Sequence, residues 1–176
     1  MAMIIHCHTP LDESKCKEFR AGDEILLSGE IFTARDAAHQ RLLAYYQETH
    51  QWPIPIKNQM VYYAGPTPSA PHHKVGSIGP TTSSRMDHLS RPLLENGLKG
   101  MIGKGERSKE FRSWMIEFSC IYFVTIGGAG SYLSKKVEDM KLLMYEDLGP
   151  EAIYILKVKE FPLFVAYDCY GGSIFK

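Results

Sequence analysis

The sequence of 176 residues is poor in cysteine, has no excess of either charge and contains no long apolar run. Its few cysteines are widely scattered: Cys7, Cys16, Cys120 and Cys169. Because no CxxC pair occurs, this chain alone is not expected to hold an iron–sulfur cluster or a structural zinc. Two disulfides are arithmetically possible, but the scatter favours reduced thiols in a cytoplasmic protein.

The charge balance and the short apolar runs argue against nucleic-acid-binding and membrane-spanning proteins. The chain has 20 Lys+Arg and 20 Asp+Glu, with a pI near 7.0, which gives no electrostatic reason to expect a nucleic-acid partner. The longest apolar stretches, such as 120–126, are far shorter than the roughly 20 residues of a membrane-spanning helix. The start, MAMIIHCHTP, lacks the features of a secretory signal. We therefore expect a cytoplasmic protein without a membrane or nucleic-acid partner.

The hydrophobic content of 44% and the length suit one domain over 1–176. Strand-like and helix-like segments alternate, which predicts an α/β layered domain with a mixed sheet or a second small sheet. The predicted strands are 24–32, 60–63, 75–78, 99–102, 120–126, 153–158 and 163–167. The predicted helices are 37–46, 84–89 with a further turn capped by Ser90 near Pro92, 108–117 and 131–137. Thr33 and Asp36, ahead of the first helix, resemble a capping box with Asp in place of Glu.

Three polar loops share one local pattern, in which an apolar strand is followed by a turn with a cation and then by a helix. They are 33–36 (TARD), 79–87 (GPTTSSRMD) and 102–105 (IGKG). Ligands of α/β sheets gather where such turns meet, and helix amino termini there favour anions. Arg35, Arg85 and Lys104 would together neutralise a dianion, with the arginines suited to carboxylate or phosphate.

Each loop has a simpler interpretation as well. Arg35 can pair with an acid of a neighbouring helix, and 79–81 can be only a turn with a helix cap. Neither 103–105 nor 127–131 completes a phosphate-binding motif, and the second is more typical of tight helix packing. His6 and His8 share a strand face, but no third metal ligand accompanies them. His39 can reach the site or serve packing and hydrogen bonding.

Several sequence blocks together resemble the β subunit, or carboxyl-terminal domain, of class I iron–sulfur fumarate hydratases and the related tartrate dehydratases. The blocks follow in the expected order: Gly22-Asp23, SGEI at 28–31, TARDAAH at 33–39, YAGP at 63–66, GPTTSSRMD at 79–87, IGKG at 102–105, GGAG at 127–130, EFPL at 160–163 and Asp168. They span nearly the whole chain. Ser83 and Ser84 stand where relatives often have Ala and Gly.

The resemblance implies a swivelling β/β/α domain that is half of an enzyme. It further implies an iron–sulfur α subunit as the partner, an (αβ)2 assembly as in relatives, and a [4Fe-4S] cluster held by that partner through three cysteines. The cluster's fourth iron binds the hydroxyl and carboxylate of the substrate as a Lewis acid. In this interpretation the present chain supplies no ligand to the cluster.

The resemblance also implies roles for particular residues. The substrate-binding cations of the family fall on Arg35, Arg85 and Lys104, and its catalytic threonine falls on Thr81. Thr81 would exchange the proton at C3 of the substrate, with Lys104 and a dry interface lowering the pKa of its hydroxyl. Lys104 thus has both a catalytic and a binding role.

The motifs TARDAAH and GGAG favour L-malate and fumarate over L(+)-tartrate as substrates, so the sequence predicts a fumarate hydratase subunit. Two other classes stay open: a self-sufficient binding module for a dicarboxylate or phosphate, and a structural or regulatory subunit without its own chemistry. The joint presence of Thr81, Arg85, Arg35 and Lys104 favours the hydro-lyase, because a subunit without activity need not retain all four.

Overall fold

The computed structural model describes residues 4–69, 71–72, 74–125 and 129–176. Among these, seven strands form one mixed sheet, and helices cover part of it. The strands are β1 (Ile4–His8), β2 (Glu24–Thr33), β3 (Met60–Tyr62), β4 (Gly100–Gly103), β5 (Ile121–Val124), β6 (Val137–Met144) and β7 (Ile153–Tyr167). The helices are α1 (Glu13–Glu18), α2 (Asp36–Thr49), α3 (Asp87–Glu95), α4 (Lys109–Glu117) and α5 (Gly130–Ser134), with 3-10 helices at Ser83–Met86 and Glu146–Glu151.

The strand order is β1-β2-β3-β4-β5-β7-β6, with a further pairing between β2 and β7. Strands β1 to β5 are parallel to their neighbours, whereas β7 runs antiparallel to β2, β5 and β6. Because β7 is long enough to pair with both β2 and β5, the five strands β2, β3, β4, β5 and β7 close into a ring. This confirms the prediction of an α/β fold with a mixed sheet.

Alternating side chains along the central strands divide the apolar residues into two cores. Tyr62, Ile102 and Phe123 belong to one core, which is lined by strands. Their neighbours Val61, Met101 and Tyr122 face the other core, which includes residues of α2, α3 and α4. Successive strand residues point to opposite faces, so buried runs such as IYFV in β5 serve both cores at once.

Several local predictions were wrong, each for an identifiable reason. Thr33 is the last residue of β2 and not a helix cap: its hydroxyl donates to Ala152 O and accepts from Tyr154 N, while Arg35 occupies the N-cap of α2. Residues 75–78 form an irregular segment. The runs 153–158 and 163–167 are one strand, and β6 was missed because its exposed charged residues obscure the alternation.

The second helix predicted from Ser90 is part of α3. Ser90 donates its hydroxyl to Met86 O at 2.6 Å, which is an intrahelical bond, and Pro92 lies inside the helix. By contrast, Ser108 caps α4 as predicted, accepting from Phe111 N at 3.1 Å. The segment 127–130 lies partly outside the described residues, and α5 begins at Gly130.

All four cysteines are free and buried, as expected of reduced thiols. Burial raises the pKa of Cys120 to about 12, so this thiol stays protonated and unreactive at neutral pH. In the described part of the chain, no helix combines the length and the apolar character needed to cross a membrane.

Candidate functional site

The three cation-bearing loops leave the sheet at one edge. Strands β2, β3 and β4 are parallel, so their carboxyl ends meet there. Arg35 follows β2 and Lys104 follows β4, while the loop 79–87 reaches the end of β3 through a bond from Thr81 N to Tyr63 O at 2.7 Å. This edge is where α/β sheets place ligands.

The loop 79–87 is fixed against the end of β4 through the backbone and the hydroxyl of Ser83. Ser83 N donates to Lys104 O at 3.1 Å, and Lys104 N donates to Ser83 Oγ at 3.1 Å. The hydroxyl of Tyr122 on β5 lies 2.9 Å from Ser83 Oγ and donates to Gly105 O at 2.8 Å. The backbone of Lys104 therefore lies directly beside the segment that carries Thr81 and Arg85.

The two arginines face carboxylates of the same chain at long distances. Arg85 Nη2 is 3.6 Å from Asp36 Oδ1, and Arg35 Nε is 3.8 Å from Glu151 Oε1. The simpler interpretation of Arg35, an ion pair with an acid of a neighbouring helix, is thus realised through the 3-10 helix Glu146–Glu151. Partly exposed pairs of this kind contribute little to stability, so a ligand can displace them.

Unsatisfied polar atoms accompany these pairs. Arg35 Nε and Asp36 Oδ1 are buried and have no hydrogen-bond partner among the described residues. No described carboxylate lies within ion-pair distance of the exposed Lys104. Buried polar atoms normally find partners. Arg35 Nε and Lys104 therefore offer a free donor and positive charge to an anion, whereas the carboxylate oxygen of Asp36 does not.

His39 contacts the backbone of Arg35 from the buried interior and does not line the exposed surface of this edge. The side chain is completely buried, with Nδ1 2.8 Å from Arg35 O, and its Nε2 atom has no partner among the described residues. Burial lowers the pKa of His39 to about 4, although its backbone hydrogen bond to Arg35 opposes the shift. The ring is therefore neutral at pH 7, and Nδ1–H donates to the Arg35 carbonyl. Of its two predicted roles, packing and hydrogen bonding is the one that the geometry carries.

We expect the protein to lose stability as the pH falls from 6.5 toward about 4, and a His39→Gln variant to lose less. The folded-state pKa lies below the ordinary value, so the unfolded chain binds more protons in this window. At a pH of about 5 the difference costs about 2 kcal/mol of unfolding free energy. Urea denaturation near neutral pH and at this lower pH measures it. A His50→Asn control at the exposed end of α2 should keep the wild-type dependence; an unchanged dependence in His39→Gln would contradict the assignment.

Comparison with known proteins places this chain in a family. The model of the family described as Fumarase C-terminus matches residues 2–176. The chain belongs to this family. The L(+)-tartrate dehydratase subunit beta of Methanocaldococcus jannaschii, a name given as provisional, is 31% identical over 172 residues, covering 94% of this chain and 88% of that protein.

Two further relatives are longer proteins of Escherichia coli K12. The aerobic class I fumarate hydratase is 29% identical and the anaerobic class I enzyme 30% identical, each over 179 aligned positions. The alignments cover 99% of this chain but 33% of each of these enzymes. At the level that these names share, the fumarase C-terminal family is one of hydro-lyases, which add water to a double bond or remove it.

The described residues of this chain form no metal site of their own. Within the described ranges, no group of three or more His, Cys, Asp or Glu side chains has the geometry to hold a metal ion. His6 and His8 lie on β1, and the four cysteines are free and buried.

Sequence reasoning missed the acids and hydroxyls that orient the cations. Glu151 is more than a hundred positions from Arg35, and no local pattern signals the contact. In the sequence, Ser83 stands out only as a departure from relatives, and Tyr122 only as part of the predicted strand 120–126. In the structure Ser83 bonds Lys104, and Tyr122 bonds Ser83 and Gly105. Their signal lies in the fold: β4 and β5 are adjacent, so a tyrosine on β5 reaches the loop after β4.

Proposed function

We propose that the chain is the β subunit of a two-component [4Fe-4S] hydro-lyase that interconverts L-malate with fumarate and water. The observation that carries the proposal is the meeting of three cation-bearing loops at one sheet edge, with unused hydrogen-bonding capacity. Membership in the fumarase C-terminal family supports the reaction class. The α subunit would hold the cluster, and two αβ pairs would form the assembly.

In this proposal Arg35 and Arg85 bind the two carboxylates of the substrate. Both already lie within reach of carboxylates of the chain, so a dicarboxylate ligand would replace Glu151 and Asp36 with better-oriented, bidentate contacts. Lys104 adds a third positive charge that no described carboxylate neutralises. Because no carboxylate of the described chain opposes Lys104, this cation can stabilise negative charge that develops during the reaction.

Thr81 is the proposed proton-transfer residue. Its backbone is anchored to Tyr63 O, and its side chain is half-buried beside the segment tied to Lys104. In the dehydration direction Thr81 takes the proton from C3 of malate, and the C–O bond at C2 breaks as the double bond forms. The proton then passes from Thr81 to the departing hydroxide, so fumarate and water result and Thr81 is regenerated. The cluster of the partner, when bound, supplies a Lewis acid for the hydroxyl group. Closure of the subunit interface would exclude water from Thr81.

A second candidate is the β subunit of an L(+)-tartrate dehydratase. It is favoured by the M. jannaschii relative, which bears that name and matches this chain over 88% of its length. The same cations would bind either substrate, since both are four-carbon dicarboxylates with a hydroxyl group. A dicarboxylate-binding or structural subunit without chemistry is the remaining alternative.

We expect anaerobic co-expression with the iron–sulfur partner to give an assembly that interconverts malate and fumarate, while the isolated chain is inactive. The partner is sought as an adjacent reading frame with three suitably spaced cysteines. Assays of the purified pair with malate and with tartrate decide between the candidates. Tartrate turnover far above malate turnover would overturn the substrate, and full activity of the isolated chain would overturn the two-component model.

A further inference from the structure

A buried ion pair joins the two loops that carry the proposed proton-transfer residue and Lys104. Arg107 follows the 102–105 loop, and its side chain is completely buried. Its Nε atom donates to Asp87 Oδ1, and the other carboxylate oxygen of Asp87 accepts from Ser108 N at 2.7 Å. Asp87 closes the 79–87 loop and begins α3. The pair therefore fixes the end of one loop to the end of the other.

The guanidinium of Arg107 is enclosed by aromatic rings. Its Cζ atom lies 3.5 Å from the ring centroid of Phe111, 5.1 Å from that of Tyr63 and 5.0 Å from that of Tyr122. Nη1 donates to the Tyr63 hydroxyl at 3.3 Å. The rings belong to the end of β3, to β5 and to α4, so this one side chain contacts three elements of the fold.

A buried ion pair is a poor source of stability, because its desolvation offsets much of its attraction. Well-packed apolar residues in the same volume often give an equally stable protein. Apolar contacts have no preferred direction. The planar guanidinium of Arg107 and the carboxylate of Asp87, by contrast, fix both the distance between the two side chains and their relative orientation. The geometry at Arg107 therefore indicates that the ion pair serves to hold the two loops in a defined relative position.

We propose that Asp87 and Arg107 are positioning residues that set the separation of Thr81 and Arg85 from Lys104. The inference rests on the proposed function, since it gives these three residues a common ligand. Ser83 and Lys104 are already joined by two hydrogen bonds, one between their backbones and one from Lys104 N to the Ser83 hydroxyl, but both act at a single point. The ion pair supplies a second point of attachment, which prevents the 79–87 loop from rotating about the first.

The test uses an Asp87→Asn variant and an Asp87→Leu/Arg107→Met double variant. The first leaves the buried guanidinium without its carboxylate, and the second replaces the pair with apolar groups. Hydrogen–deuterium exchange of the full chain is expected to rise roughly tenfold in peptides covering 79–87 and 103–108, but not in β2 or β7. An Asp147→Asn control, which breaks the exposed pair with Arg41, should leave both peptides unchanged.

In the enzyme assembled with its partner, both variants should lower kcat by roughly 10- to 100-fold with a smaller change in KM, as expected for displaced groups. Thermal unfolding should show that the double variant is at least as stable as Asp87→Asn. Two results would overturn the inference: unchanged exchange in both peptides of both variants, or a double variant in which kcat recovers together with stability. If the wild-type assembly turns over no dicarboxylate, the proposed function fails, while the exchange experiment still reports on whether the pair orders the loops.

Discussion

An Arg85→Ala variant of the assembled enzyme is expected to retain its fold and to lose between roughly 30-fold and several thousand-fold of kcat/KM. Removing one charged contact to a desolvated dianion costs about 2–5 kcal/mol, and about 1.4 kcal/mol corresponds to a factor of ten. Arg85 lies at the edge where the three loops meet. Its loss leaves the two carboxylates of the substrate with two of the three proposed binding cations.

The fold should tolerate this change because the Arg85 side chain is half-exposed and its described ion-pair partner, Asp36, is 3.6 Å away. Partly exposed pairs of this kind contribute about 0–1 kcal/mol. Steady-state kinetics with malate and fumarate, together with thermal unfolding, measure the two effects separately. Arg91→Ala is a matched control, because Arg91 lies on the exposed side of α3 and pairs with Glu95.

A Lys104→Ala variant is expected to lose kcat/KM to a similar extent. Lys109→Ala on α4 is its control. The backbone hydrogen bonds to Ser83 do not depend on the Lys104 side chain, so the loop should keep its place. Wild-type kinetics in both Arg85→Ala and Lys104→Ala would contradict a shared ligand for these loops. Loss of activity in the Arg91 or Lys109 control would instead indicate a general sensitivity of this face.

Much of the fold was predictable because local signals and burial agree. The helix α2 combines apolar residues at helical spacing with a polar face, Ser108 is a favourable cap, and β5 is a short apolar run between turn residues. The candidate site residues were chosen for a different reason. The motifs at 79–87 and 102–105 resemble those of a family, and parallel strands then bring their ends to one edge.

The remaining features depend on contacts between distant parts of the chain. Thr33 satisfies the local rule for a capping box, yet its hydroxyl is bound to the start of β7, which approaches only after β2 and β7 pair. The charged residues around Arg107 in the sequence are typical of a solvent-exposed segment. The burial of Arg107 requires the aromatic rings from β3, β5 and α4, and no single segment contains that information.

Gly103→Ala is expected to lower both stability and activity, because no space exists for a methyl group at this position. An added Cβ would lie 1.8 Å from Ser83 Oγ and 2.9 Å from Cδ2 of the Tyr63 ring. Overpacking of this kind costs about 1–3 kcal/mol of unfolding free energy. Since Ser83 is the contact that holds Lys104, its displacement by about 1 Å should also cost roughly 100-fold in kcat.

A Ser83→Ala/Gly103→Ala double variant separates these causes. Removing the Ser83 hydroxyl eliminates the shortest contact, while the contacts with the Tyr63 ring and with the Cβ atom of residue 83 at 3.1 Å remain. Stability should therefore recover in part, but kcat should recover less, because Lys104 N has then lost its acceptor. For thermal unfolding the control is Gly79→Ala, whose Cβ would meet its nearest neighbour, Gly130 Cα, at an ordinary 3.7 Å. A Gly103→Ala variant as stable and active as the wild type would show that the 79–87 loop can move away from β4 without consequence, and the two-loop site would then lose its structural basis.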